Sequence, residues 1–381
     1  MAERLSLVLG FRDRDLERVE RCLDSLARQT FRDFDLTLVD YGSAPATSRA
    51  LAGLASRHPF CRVLYTETRG WPWNRSQALN AGARRAEAPF VMTSDVDMVF
   101  SRGFLGALAT ELREDRVVYC SPHQLPRSFT DWTDPERHAS TLEATGKSAF
   151  GGCCALPREL FHRLRGFDEF YRYWGVEDRD LHHRLLAEGL EEVWLDELPG
   201  APPLFHQWHP ASDHKTTGFL PPGFWGRAET HYLSRRGETV RNGPDWGRVE
   251  TAASRPALAF LDLDAGRLRD RPDLVRLRGN PYDHRFLSQV LRTFWDLPAG
   301  HALAVSGAAL PRASRPVDGL LRVVNALLRR TPLGAEVGYR TNRVHGFLAE
   351  LVHGAETAPG PVADYYLGFP AEDGIDLLVR A

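Results

Sequence analysis

The chain is nearly without lysine: of 48 basic residues, only Lys147 and Lys215 are not arginine. Coding bias accounts for that first, although the planar fork of arginine also suits phosphate recognition. Net charge of one sign is missing too, at −2 with neutral histidines. Composition therefore gives no ground for a nucleic-acid partner or an anionic membrane surface. Long apolar runs are absent. No stretch approaches the roughly 20 residues of a membrane helix, so no membrane span is expected. The opening LSLVLGF (5–11) is too short for a signal peptide's apolar region and reads as a strand. Cysteine is sparse: Cys22, Cys61, Cys120, Cys153 and Cys154 are odd in number and lack metal-ligand spacing. A disulfide framework is excluded, and a reducing, cytoplasmic location is expected. The adjacent Cys153 and Cys154 read as small buried hydrophobes. Internal repeats and low-complexity tracts are also absent, which excludes a solenoid.

What is present is an ordinary globular composition over 381 residues, enough for two modest domains or one domain with an appendage. The first hundred residues alternate strand and helix signals. LSLVLGF is followed by the helical DLERVERCLDSLARQ (15–29), DLTLVDYG (35–42) by TSRALAGLASRH (47–58), and CRVLYTE (61–67) by NRSQALNAGARRAEA (74–88). PFVMTSDVDM (89–98) is a fourth strand. This spacing predicts an α/β fold, a mainly parallel sheet with helices on both faces. Ligands of such sheets bind at the carboxyl ends of the strands. That singles out Arg12 and Arg14 after the first strand, Asp40 at the end of the second, and Asp95 and Asp97 after the fourth. Near Ala252 the pattern breaks, which predicts domains at 1–254 and 255–381. In the second, ALAFLDLD (257–264), HALAVSG (301–307) and YYLGF (365–369) read as strands. VDGLLRVVNALLRR (317–330) and NRVHGFLAELV (342–352) read as amphipathic helices.

Four motifs carry chemistry. In SDVDM (94–98), strand alternation would put Asp95 and Asp97 on one face. Two neighbouring carboxylates repel unless a cation joins them, and a hard divalent ion such as Mn²⁺ or Mg²⁺ takes oxygen ligands and bridges diphosphate oxygens. In HQWHP (206–210), His206 and His209 are spaced by three and can complete a site begun by carboxylates; alone, they would read as one packed and one exposed histidine. In WGVEDRDLHHRL (174–185), Glu177, Asp178 and Asp180 crowd a helix's first turn. Acidic residues there favour the helix dipole, and a carboxylate at a pocket wall can also serve as general base. In WNRSQALNAG (73–82), Arg75 suits a diphosphate or sugar hydroxyl, although ordinary helix surface explains it equally well in isolation.

Taken in order, these segments resemble the GT-A fold glycosyltransferases, between glycosyltransferase family 2 and the β-1,4-galactosyltransferases. GFRDR (10–14) resembles the first-strand nucleotide loop, WNRSQALNAG the N-R-x-x-x-L-N-x-G helix, and FVMTSDVDM the metal-binding strand end. FGGCCALPRELFHRLRGFDEFYRYWGVEDRDLHHRL (150–185) resembles the acceptor-side segment, and HQWHP stands where the last metal ligands fall. The likeness covers roughly residues 5 to 235. It implies an enzyme that moves a sugar of the Gal, GalNAc or GlcNAc type from a UDP-sugar to a glycan or other hydroxyl-bearing acceptor, with inversion and with Mn²⁺ or Mg²⁺.

The resemblance also implies residue roles. Asp97, His209 and His206 would bind the metal, with Asp95 near the metal or ribose. Asp178 would be the catalytic base, supported by Glu177. Arg12, Arg14, Asp40 and Arg75 would hold the nucleotide and diphosphate, and Phe11, Asn80 and Trp174 belong to the same nucleotide-sugar site. Gly151 and Gly152 would let the backbone approach the sugars. Three positions depart from the galactosyltransferase pattern: His206 replaces a thioether ligand, Arg179 interrupts the acidic run, and Val176 replaces a glycine. The last two lie on the acceptor side, which argues against a terminal N-acetylglucosamine acceptor. A metal-dependent nucleotide-sugar hydrolase and a retaining transferase on the same fold are the alternatives, and a non-catalytic nucleotide-sugar-binding module is a third that the retained Asp97, His209 and Asp178 argue against.

Overall fold

The computed structural model describes residues 4–147, 150–172, 175–209, 224–249, 256–262, 267–279, 283–307, 323, 362–368 and 377–381. The chain splits into two compact units. One comprises Met1–Ala211 with Trp225–Thr251, and the other Ser212–Phe224 with Ala252–Ala381.

The first unit is built on a seven-stranded sheet of order β3-β2-β1-β4-β8-β6-β9. Its strands are β1 (Leu5–Phe11), β2 (Phe34–Asp40), β3 (Cys61–Tyr65), β4 (Phe90–Asp95), β6 (Arg116–Tyr119), β8 (Cys153–Pro157) and β9 (Glu191–Trp194). β1, β2, β3 and β4 run parallel, while β8 is antiparallel to both β4 and β6. A second, three-stranded sheet joins β5 (Met98–Phe100), β10 (Leu204–His206) and β7 (His123–Gln124) in the order β5-β10-β7.

Alternation along β1 explains the layering. Leu5, Leu7, Leu9 and Phe11 pack with α1 (Leu16–Ala27), α2 (Pro45–Ala55) and α4 (Phe104–Glu111) on one face. Val8 points the other way, with Val39 and Val91, onto α3 (Arg75–Ala83), α5 (Arg158–Arg163) and α6 (Glu177–Ala187). Both faces are covered, as a parallel sheet requires. α3 lies directly on the sheet because Gly82 permits it: a Cβ there would sit 2.4 Å from Val8. α7 (Phe224–Ser234) completes this unit.

In the second unit, β13 (Leu274–Gly279) and β14 (Ala302–Gly307) pair in parallel, with α8 (His284–Trp295) between them in the chain. β16 (Leu377–Arg380) pairs antiparallel with β14 and with β15 (Asp364–Leu367). The expected strands at 301–307 and 365–369 are thus present as β14 and β15. The one expected at 257–264 is not a strand at its start. Pro256–Phe260 forms a 3₁₀ turn, and only Leu261–Asp262 (β11) pairs, with Arg267–Leu268 (β12). The apolar run there is satisfied by burial in a small core with Ala302, Ala304 and Leu378 rather than by a ladder. The helices expected at 317–330 and 342–352 lie, but for Val323, outside the described residues.

All five cysteines are free. Among the described residues, no helix is long and apolar enough to cross a membrane.

Candidate active site and metal cluster

Arg75, Asp95, Asp97, Gly151, Glu177, Asp178, His206 and His209 gather near the carboxyl end of β4. β4 stops at Asp95; Val96 and Asp97 form a turn before β5. Strand alternation therefore does not extend across the motif, and the two aspartates take different partners. Asp95 turns to Arg75, and Asp97 turns to the histidines.

Strand register builds the histidine cluster. β10 pairs antiparallel with β5 so that His206 stands opposite Met98. The ladder continues with Gln207 N–H donating to Asp97 O at 3.0 Å. Asp97 Oδ1 consequently lies 3.7 Å from His206 Nε2, and Oδ2 lies 3.4 Å from His209 Nε2. One ligand atom from each of Asp97, His206 and His209 falls within 4.8 Å of the others. Two ligands bound about 2.1 Å from one ion stand roughly 3–3.5 Å apart at ordinary coordination angles, so the set is close to the spacing a cation needs. Two imidazoles and one carboxylate suit a borderline or hard divalent ion. Asp97 Oδ1 is buried and accepts no hydrogen bond among the described residues, which leaves its lone pairs available to a cation. Burial lowers the His206 pKa, with His209 pushing the same way and Asp97 opposing; the neutral ring is the form that ligates.

Arg75 is the second centre. Asn74 caps α3 by accepting from Gln77 N–H, which sets Arg75 at the first helical position, facing the strand ends. Its guanidinium donates from Nε to Asp95 Oδ1 at 2.9 Å, from Nη1 to Asp178 Oδ1 at 2.7 Å and from Nη2 to Gly151 O at 3.1 Å. Glu177 Oε1 stands 3.9 Å from Nη1. Burial works against the Arg75 charge, but Asp178, Asp95 and Glu177 outweigh it and hold its pKa above the usual range.

Glu177 and Asp178 open α6 and differ in setting. Glu177 is 3% exposed, and its Oε2 has no hydrogen-bond partner among the described residues. Burial, reinforced by Asp178 and opposed by Arg75, pushes its pKa up to about 8. Asp178 keeps 30% of its side chain exposed. Its pKa is raised by burial, with Arg75 opposing. Gly151 makes room for it: a Cβ there would meet Asp178 Oδ2 at 2.6 Å. Gly152 instead faces Pro122, and its carbonyl accepts from Ser94 Oγ. The α6 N-cap is Val176 at φ 76°, left-handed backbone that a β-branched residue rarely adopts.

The remaining sequence candidates divide. Arg14 is exposed at the end of the β1 loop. Arg12 donates to Trp71 O at 2.7 Å and Thr68 O at 3.2 Å, fastening that turn beside β1. Asp40 is fully buried; one oxygen accepts from Ser43 N–H and the other from Ser48 Oγ. The Phe11 ring is in the core. Asn80 is a strut: its Nδ2 donates to Phe167 O at 2.8 Å and Glu169 Oε1 at 2.9 Å, and its Oδ1 accepts from Phe167 N–H. Trp174 lies outside the described residues.

Sequence reasoning missed the polar contacts of α7. Glu229 receives Arg179 Nη2 at 2.7 and 2.6 Å, and His231 meets Asp168 Oδ2 at 2.7 Å while stacking on Phe170 at 3.7 Å. No motif flagged that helix. The i, i+2 placement of an acid and an imidazole on it carries no signal by itself.

Residues 6–178 match the family described as Glycosyl transferase family 2, a stretch running from β1 to Asp178 at the start of α6. It carries a transferase domain. A validoxylamine A glucosyltransferase of Streptomyces hygroscopicus subsp. limoneus is 27% identical over 237 residues, 51% of this chain and 51% of the relative. The uncharacterized glycosyltransferase EpsJ of Bacillus subtilis is 25% identical over 126 residues, 32% of this chain and 36% of that protein. The chain spans about half the length of the validoxylamine A glucosyltransferases it matches. Among solved structures, the mannosyltransferase PcManGT from Pyrobaculum calidifontis in complex with GDP-Man and Mn²⁺ is 17% identical, with a TM-score of 0.43, over 94% of this chain and 87% of that one.

Proposed function

We propose that the protein transfers a hexosyl group from a UDP-sugar to an acceptor hydroxyl by single displacement, with inversion at the anomeric carbon. The observation that carries this reading is Arg75. One guanidinium spans from Asp95, two residues before the metal-ligand aspartate, to Asp178 at the mouth of α6. On this reading Arg75, a group that suits a diphosphate, lies between the proposed base and the aspartate that precedes the proposed cation ligands.

Asp97, His206 and His209 would hold a divalent ion, with Mn²⁺ or Mg²⁺ matching the donor set, and Asp95 stands at its edge. Such an ion neutralises charge on the departing diphosphate. Asp178 takes the acceptor proton. Its Oδ1 is committed to Arg75, leaving Oδ2, over Gly151, as the oxygen that receives it. The raised Asp178 pKa improves that oxygen as a base. Arg75 donates to phosphate oxygens and keeps Asp178 oriented. Residues 255–381 are assigned to a separate accessory unit. Validoxylamine A glucosyltransferase, by its name, transfers glucose, so UDP-Glc joins UDP-Gal, UDP-GalNAc and UDP-GlcNAc as candidate donors.

The test is a donor panel with Mn²⁺, reading UDP release and thermal shift, with and without candidate acceptors. Acceptor-dependent UDP release supports transfer. Equally fast release without acceptor replaces transfer by hydrolysis, full activity in EDTA removes the metal, and retention of the anomeric coupling in the product removes inversion.

A further inference from the structure

We infer that Gln124, held by Thr145, is a positioning residue that fixes the tautomer of His206 and so sets the strength of the cation site. The inference rests on the metal assignment made above.

Register places the two side chains together. β7 runs parallel to β10 with Gln124 in register with His206 and His123 with Phe205. The backbone holds the pairing, since Leu125 N–H donates to His206 O at 2.9 Å and Gln124 N–H to Glu143 O at 2.9 Å. Paired residues on neighbouring strands project to the same side. His206 Nδ1 accordingly lies 2.9 Å from Gln124 Oε1.

The direction of the proton follows from the far end of the chain of contacts. The Thr145 hydroxyl has one hydrogen, and it donates that to Pro122 O at 2.9 Å. It must therefore accept from its other neighbour, Gln124 Nε2. That fixes the amide with Nε2 toward Thr145 and Oε1 toward His206. An amide oxygen only accepts, so His206 Nδ1 carries the proton. The lone pair is then on Nε2, which faces Asp97 Oδ1 at 3.7 Å. A ligating imidazole needs its other nitrogen to donate in this way, and loss of that acceptor typically costs 10- to 100-fold in metal affinity.

Both Gln124 and Thr145 are exposed, so water competes for each contact, and the relay works because strand pairing presents the partners already aligned. Neither residue falls in a segment that resembles a glycosyltransferase motif. The device accompanies the departure of His206 from a thioether ligand: a thioether has no tautomer to fix, and an imidazole does.

The experiment uses the full chain without donor. Mn²⁺ titration by calorimetry should give a Kd about 10- to 100-fold weaker for Gln124→Leu than for wild type. Gln124→Glu, which still accepts from Nδ1, should restore binding. Thr145→Val should weaken it less than Gln124→Leu does. In parallel, ¹⁵N spectra of the metal-free protein, with His206 assigned by its loss in His206→Asn, should show Nδ1 protonated in wild type and a tautomer mixture in Gln124→Leu. Wild-type Mn²⁺ affinity in Gln124→Leu would overturn the inference. If the wild type itself binds no Mn²⁺, the metal assignment falls, and the ¹⁵N spectra decide the relay alone: an unchanged His206 tautomer in Gln124→Leu overturns it.

Discussion

Glu177 offers the sharpest physical prediction, because a carboxyl with a pKa near 8 in the folded chain must leave a signature in stability. The unfolded reference is about 4.3 for glutamate. Between these values the unfolded chain releases the proton while the folded chain keeps it. The unfolded state then binds fewer protons, and stability falls as pH rises through that window. The loss is absent below pH 4, grows through neutrality and is complete above pH 8. From pH 6 to 8 the loss is about 2 kcal/mol, since the full slope of 1.36 kcal/mol per pH unit falls to half as pH reaches the folded pKa. In a unit of this size, that corresponds to a melting-temperature drop of about 4–8 °C. Glu177→Gln keeps the shape and removes the titration. The difference in melting temperature between Glu177→Gln and wild type should therefore widen in favour of the variant from pH 6 to pH 8.5. Taking the difference cancels titrations common to both proteins, such as Asp168, whose pKa is lowered by His231 and Arg235 against its burial. A difference that stays flat across this range, or that favours wild type more at pH 8.5 than at pH 6, would refute a protonated, buried Glu177.

Three further predictions address neighbouring groups. Asp178→Asn should lower turnover by about 10²-fold or more while donor affinity stays near wild type, the scale of a lost general base; steady-state kinetics with the best donor from the panel check this, and a larger loss from Glu177→Gln would exchange the two roles. Asp97→Ala should abolish Mn²⁺ binding in calorimetry, and a Kd equal to wild type would exclude Asp97 as a ligand. Val176→Gly should raise stability by up to about 1 kcal/mol, because left-handed backbone costs a branched residue roughly 1–2 kcal/mol and glycine's extra unfolded freedom returns about 0.4–1 kcal/mol of that; thermal melts measure it, and a clear fall in melting temperature would show that Val176 is not strained.

The parallel half of the sheet, β1 to β4, was legible because those strands are short apolar runs with acidic or arginine-rich ends. β6, β8 and β9 were not; the antiparallel entry of β8 beside β4, for one, is a choice of tertiary pairing that CCALP does not encode locally. The Asp97–His206–His209 group was legible as residue types. Its geometry was not, because it depends on β10 pairing with β5 in one register across about a hundred residues. Asn80 shows what the structure adds to a residue type. A polar residue in a motif helix read as a ligand contact, yet it is buried and spends its amide on Phe167 and Glu169. Asp40 behaves alike, with both carboxylate oxygens committed to Ser43 and Ser48. In each case the sequence marks a buried polar group, and only the structure shows whether its partner is the protein itself.

The same question applied to the acidic residues separates them into three electrostatic states. Asp180 is buried between two arginines, with Arg184 at 2.8 Å and Arg241 at 3.1 Å; it faces the protein and anchors α6. Glu177 is buried with its pKa raised, its nearest cation 3.9 Å away. Asp178 touches the same guanidinium at 2.7 Å yet keeps a third of its surface open. Only the last combines accessibility, orientation and a raised pKa. Those are the properties a general base needs at once, which is why, of three carboxylates within four residues on one helix, the proposed proton-accepting role goes to Asp178.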